Sequence, residues 1–342
     1  MRARTTWTRR GVLLGALGAG ATAALHATGS GRATAAALPP LLVGDQKSRR
    51  VLLLDSATTT WEPSGDPASV RWEFTPEEDS RYDDLDPGHS WTYVSEVKSR
   101  TWQGKTYLLT TASYGFAAVV EHPGKNRYWA ARVTDAAGTE KSNPHSIELL
   151  PDGNVAVALS GSGEVRLYAA SRSPYATEYT SVPLTSAHGV HWDPATEMLW
   201  AVGSGQLAAY ELNGPATGRT LVRAYATDLP GPVPGRAPGG HDLNAVAGEP
   251  DLFWVSTTDG LLQYSKSRRQ FAPYVPSSCG GTLANVKAVS NAGATVALTA
   301  PDGGLDRTWW TRSVRVDNGP VPAHTLAGAA YGGIYKARWW QP

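Results

Sequence analysis

From Leu41 onward the chain alternates short apolar runs with clusters of Gly, Asp, Asn, Ser and Pro, and no stretch sustains a helical period. The runs Thr106 to Thr111, Val155 to Leu159, Met198 to Val202, Leu252 to Ser256 and Thr295 to Thr299 read as strands. Turn chemistry precedes most of them, as in Gln103-Gly104, Pro151-Asp152-Gly153, Asp193-Pro194 and Asn291-Ala292-Gly293. A second tight turn follows, such as Gly161-Ser162-Gly163, Gly203-Ser204-Gly205 or Asp259-Gly260. A third run comes next, such as Val165 to Tyr168 or Leu261 to Tyr264. The pattern is a meander of antiparallel strands, repeated along the chain.

Ahead of each unit lies a segment in which polar residues flank an apolar one. The six copies are Ser95-Glu96-Val97-Lys98, His145-Ser146-Ile147-Glu148, His188-Gly189-Val190-His191, His241-Asp242-Leu243-Asn244, Ala284-Asn285-Val286-Lys287 and Gly333-Ile334-Tyr335-Lys336. Their last residues are 50, 43, 53, 43 and 49 positions apart. Repeats of this length with up to four strands predict an all-β fold, a six-bladed β-propeller, in which radial closure removes exposed sheet edges. The last copy, Tyr335 to Trp340, runs into the C-terminus, while Leu41 to Gln46 and Arg50 to Asp55 look like second and third strands. The ring is therefore expected to close by pairing the C-terminal strand with N-terminal ones. Seven blades or a two-sheet sandwich are the alternatives.

In such a ring the first strand of each blade lines the axial channel. Lys98, Glu148, His191, Asn244, Lys287 and Lys336 are then expected at one depth, with His145, His188 and His241 three residues earlier. Three chemistries suit this set. His145, His188, His241 and Glu148 could hold one divalent metal ion. The lysines, with Arg100 and Arg338, could grip a carboxylate while a histidine such as His188 or His191 moves a proton. Or the ring could be a hydrated polar plug.

Composition adds the cellular context. The chain has 342 residues, with 31 Lys+Arg against 30 Asp+Glu and a single Cys. Basic residues form no blocks, which argues against nucleic acid as a partner. Thr8-Arg9-Arg10-Gly11-Val12-Leu13-Leu14 is a twin-arginine pattern, followed by an apolar run too short and too rich in Gly and Ala for a permanent membrane span. Small-residue cleavage sites, Ala33-Thr34-Ala35 and Ala35-Ala36-Ala37, come next. Residues 1–37 are thus expected to be a signal peptide read by the twin-arginine export machinery, and 38–342 a single propeller domain that is secreted or attached to the cell envelope. Removing the signal takes away five Arg and no acid, leaving the mature chain at −4. Cys279 has no partner for an internal disulfide and reads as an inert thiol.

The loop Asp83 to Trp91 should lie on the histidine face, with His89, Trp91 and also Trp192 as rim candidates. Its acids lack the Gly and Glu of a calcium loop. No nucleotide cofactor is expected, because neither a P-loop nor a GxGxxG between strand and helix is present, and no GxSxG marks a hydrolase.

The segment Asn143-Pro144-His145-Ser146-Ile147-Glu148-Leu149-Leu150-Pro151-Asp152-Gly153-Asn154 resembles six-bladed propellers of the NHL-repeat and gluconolactonase-like superfamily. With Gly44-Asp45-Gln46 and Ile334-Tyr335-Lys336-Ala337-Arg338, nearly the whole mature chain also resembles a family of exported bacterial propellers of unknown function. Gluconolactonase-like enzymes hold a metal with Glu, Asn and Asp; Glu148 and Asn244 match in kind, the three histidines do not. Oligogalacturonate lyases are larger, seven-bladed propellers with a histidine-rich metal site. The leading expectation is an exported propeller that binds a small anionic or sugar-derived ligand, such as a glycan, at the histidine mouth, as a metal-assisted lyase or hydrolase. In a lyase, Lys98, Lys336 or Arg338 would neutralise a uronate and His145, His188 or His191 would be the base. The competing reading is a non-catalytic recognition or scaffold propeller.

Overall fold

A computed structural model describes residues 37–279 and 281–342. The expected signal peptide, save Ala37, and the side chain of Cys279 lie outside the described residues. Six small antiparallel sheets, one per blade, form the ring. Blade 1 starts with the inner strand Val94–Trp102, blade 2 with Pro144–Leu149, blade 3 with Gly189–Asp193, blade 4 with Asp242–Ala245, blade 5 with Ala288–Ala292 and blade 6 with Ile334–Trp339. Blade 6 is the composite that the chain ends suggested: Ile334–Trp339 pairs with Leu41–Asp45, which pairs with Arg50–Leu54 and then Val70–Phe74. A feature absent from the sequence reading reinforces the seam. Between two strands of blade 6 the chain crosses to blade 5, where Thr60–Trp61 adds in parallel to Ala323–Leu326.

The strands read as nearly continuous apolar runs because each blade is covered on both faces. Successive side chains point to opposite faces, so one strand serves two interfaces. In blade 6, Leu42 and Leu53 pack towards blade 1, against Val97 and Phe116, while Leu41, Val43 and Leu52 pack towards blade 5, against Ala297 and Val314. Six apolar clusters result, one at each junction between neighbouring blades. Most tryptophans serve these junctions, as Trp61, Trp129 and Trp254 do. Among the described residues no helix is long and apolar enough to cross a membrane.

Candidate functional site

The start of each inner strand sets the histidine end of the channel. In blades 3, 4 and 5 the residues His188, His241 and Lys287 each donate a backbone N–H to the second strand, at Val202, Ser256 and Thr299, one residue before the regular ladder. In blades 1, 2 and 6 the equivalent residues Ser95, His145 and Tyr335 are the extra residues of register breaks. These bulges re-aim one side chain per blade. The mouth therefore carries Ser95, His145, His188, His241, Lys287 and Tyr335. This corrects the expected register: Lys287 stands with the histidines, because a second buried apolar residue, Val286, mimics the repeat three positions early. Tyr335 was missed because the bulge shifts blade 6.

The three imidazoles meet as expected. The ring centroids of His145 and His188 are 4.5 Å apart and those of His188 and His241 4.6 Å. His145 Nδ1 lies 3.2 Å from the Asn143 carbonyl and His188 Nδ1 2.8 Å from the Ser186 carbonyl. A carbonyl only accepts, so both Nδ1 atoms carry the proton and both Nε2 atoms present lone pairs. The Lys287 ammonium donates to His241 Nε2 at 2.9 Å, and the Tyr335 hydroxyl is 3.3 Å from the same nitrogen. Burial pushes His188 down to about 4, and holds His145 and His241 well below the usual histidine value, with help from neighbouring His188 and lysines. Burial, then the Lys336 charge, lowers Lys287 to about 8. Lys287 is 9% exposed and has no carboxylate partner among the described residues.

Above this floor opens a cavity of about 420 Å³ walled by Gln46, Tyr93, Tyr114, Glu140 and Trp309. Tyr93 packs edge-on against Tyr114 and Trp309 at 5.7 and 5.8 Å. Gln46 accepts from the indoles of Trp309 and Trp310, fixing that wall. The wall's acid, Glu140, is engaged by His89 and Arg132 at 2.6 and 3.2 Å. His89 therefore does reach the rim. Trp91 does not: it is fully buried and donates to the Arg49 carbonyl. Trp192 lies at the opposite end of the channel.

Directly beneath the histidines, the next residues of the inner strands form a sealed layer of charge. Arg338 bridges Glu96 and Asp242 at 3.0 and 2.6 Å, and Lys336 reaches the same two carboxylates at 3.1 and 3.2 Å. Lys98 is buried below, donating to Ser146 at 3.0 Å and to the carbonyls of Ile147 and Val190. Burial alone would raise the Glu96 pKa, but Arg338, Lys336 and Lys98 outweigh it and hold the carboxyl ionised. Lys98 is lowered to about 8 by burial, against the pull of Glu96 and Glu148. Lys98, Lys336 and Arg338 are thus committed to internal partners and are not positioned to grip a ligand at the histidine mouth. Glu148 does not join the histidines either; Arg100 holds it in a two-point contact at 2.7 and 2.6 Å. His191 and Asn244 stand at that same far end, three residues or about 10 Å along the strand from His188 and His241.

For a divalent metal, the tautomers of His145 and His188 suit, since metal-binding imidazoles use the same carbonyl anchoring. The set is incomplete, because Lys287 occupies His241 Nε2 and, among the described residues, no free carboxylate replaces Glu148; Glu140 on the same cavity is held by His89 and Arg132. Among the described residues no group of three or more His, Cys, Asp or Glu has the arrangement of a metal centre.

One solved structure similar to this chain is a crystal structure of a protein of unknown function from Bacteroides caccae, with 12% identity, a TM-score of 0.54, and coverage of 88% of this chain and 98% of that one. At that identity the likeness concerns the fold alone. No curated protein matches the chain. A family model matches residues 81–341, which take in four whole blades, all of blade 5 but Thr60–Trp61, and the closing strand of the sixth, and the chain accordingly belongs to the family of unknown function DUF6528.

Proposed function

We propose that the histidine mouth binds a small sugar-derived carboxylate. The observation that carries this reading is Lys287, a buried ammonium that among the described residues has no carboxylate and, as its one polar side-chain partner, a neutral imidazole. A buried cation left unpaired is costly, and a ligand carboxylate supplies the missing charge. The Nε2 lone pairs of His145 and His188 accept hydroxyl protons, and Trp309, Tyr93 and Tyr114 offer an apolar wall for a sugar ring. If the site turns its ligand over, proton abstraction is the chemistry it supports. Lys287 neutralises the carboxylate, and His145 or His188 takes the proton from the adjacent carbon. The electron pair of that C–H bond becomes a carbon–carbon double bond as the C–O bond at the next carbon breaks; the departing oxygen keeps the C–O pair and takes the proton back from the histidine, leaving as water or an alcohol. The signal-like segment at 1–37 supports action outside the cytoplasm.

Calorimetric titration of the folded protein with D-galacturonate and D-gluconate tests the reading, with absorbance of an unsaturated product as the readout of turnover. Binding that weakens at least about tenfold in Lys287→Met is expected, the equivalent of about 1.4 kcal/mol. No binding, or equal binding by the variant, overturns it. Affinity without turnover favours the recognition reading. A divalent metal is the second reading, favoured by the carbonyl-anchored histidines; it requires Lys287 to release His241. Stoichiometric metal in protein purified without chelator, lost in the His145/His188/His241 triple Ala variant, would establish it.

A further inference from the structure

At the other end of the channel His191 closes the floor of a separate cleft. Its side chain is almost fully buried, 7% of the residue being exposed, and its Nδ1 lies 3.2 Å from Nη2 of Arg100. A guanidinium only donates, so Nδ1 accepts and the neutral ring carries its proton on Nε2. Burial, then the charges of Arg100 and Lys98, keep the ring neutral. Nε2 has no protein hydrogen-bond partner among the described residues, yet His191 lines two adjoining cavities of about 140 and 500 Å³. A largely buried side chain thus holds an N–H donor set, oriented and left open to the cleft. This is the reverse of the histidine mouth, where the ring nitrogens present lone pairs.

The cations nearest this donor are engaged by carboxylates. Arg100 is neutralised by Glu148 at its side, and Arg338 by Glu96 and Asp242. Asn244 spends one amide N–H on the Val289 carbonyl at 3.2 Å, leaving its oxygen to accept. Trp192 and Pro194 flank His191 on the wider side with an apolar wall. A directed N–H, an amide oxygen and an indole face, beside cations already engaged by carboxylates, match a ring that carries hydroxyls on its edge and C–H bonds on its face. We infer that the far end of the channel, built on His191, Asn244 and Trp192, is a second binding site that takes an uncharged pyranose sugar.

The test is saturation-transfer NMR of the folded protein with D-glucose, D-galactose, D-mannose and N-acetyl-D-glucosamine at about 10 mM each, a level that captures millimolar affinities. At least one sugar is expected to bind through its C–H face, and to weaken about tenfold or more in His191→Ala and in Trp192→Ala, as the loss of a directed hydrogen bond or a stacking face requires. Trp192 is partly exposed, so its variant keeps the test open should His191→Ala fail to fold. Lys287→Met should leave this binding unchanged, which separates it from carboxylate binding at the other mouth. Absence of binding by all four sugars, or binding that survives Trp192→Ala at full strength, overturns the inference.

Discussion

Lys287 concentrates the tension between stability and recognition at one residue. Its ammonium is lowered from 10.5 to about 8 by burial, so at neutral pH the folded state carries a charge it would rather release. Lys287→Met should raise stability at pH 7 by about 1–3 kcal/mol while abolishing carboxylate binding, as chemical denaturation beside the titration would report. Carboxylate affinity should also fall as pH rises through about 8, where Lys287 loses its proton. For stability the histidines carry the same sign as Lys287, in a lower pH range. His188 has a folded pKa of about 4 against 6.5 unfolded, so its contribution is complete above 6.5 and is lost as pH falls towards 4. His145, His191 and His241 are lowered in the same sense. Denaturation midpoints measured from pH 7.5 down should therefore begin to drop near 6.5, above the carboxylate range, with each histidine contributing about 1.4 kcal/mol per pH unit while it titrates differently in the two states. A flat profile to pH 5 would contradict the buried, neutral assignment.

The inner strands carry both the mouths and the seal between them. Glu96 is fully buried and contacts Arg338 and Lys336, so Glu96→Gln leaves Asp242 alone to balance both cations and should cost about 3–5 kcal/mol in urea denaturation. Gly161 closes the turn between the second and third strands of blade 2; a Cβ there would stand 1.8 Å from the Lys141 carbonyl oxygen, so Gly161→Ala should also destabilise. Strand order and blade number were legible in the sequence because apolar runs and Gly-rich turns are local and repeat. The clustering of His145, His188 and His241 was legible too, since in those three repeats the histidine stands three residues before the last position of the aligned segment in both sequence and structure. The role of the lysines was not. Bulges at Ser95, His145 and Tyr335 add one residue that leaves no mark in the apolar pattern, and Val286 offers a false register, so Lys287 and Lys336 were assigned to the wrong depth. The ion pairs that engage Lys336, Arg338 and Glu148 join residues as many as 242 positions apart, a separation at which one sequence gives no pairing signal.

Taken whole, the molecule is six apolar junctions around a channel plugged by charge. No blade closes its own interface, so the ring depends on the seam between its chain ends. Deleting Ile334–Pro342 removes the innermost strand of blade 6 and takes Lys336 and Arg338 from Glu96 and Asp242. The shortened chain is expected to lose the cooperative denaturant transition followed by tryptophan fluorescence; a retained transition would show that five blades suffice.

The geometry of that seam also has a mechanical meaning. Leu41 faces Trp339 across an antiparallel pair, so the two chain ends leave from the same end of one ladder. Tension applied between them would peel the hydrogen bonds one rung at a time, as a zipper opens, and would not load them together in shear. Behind that zipper, the parallel segment Thr60–Trp61 ties blade 6 to blade 5 as a latch, and the force needed to open the ring would be set there.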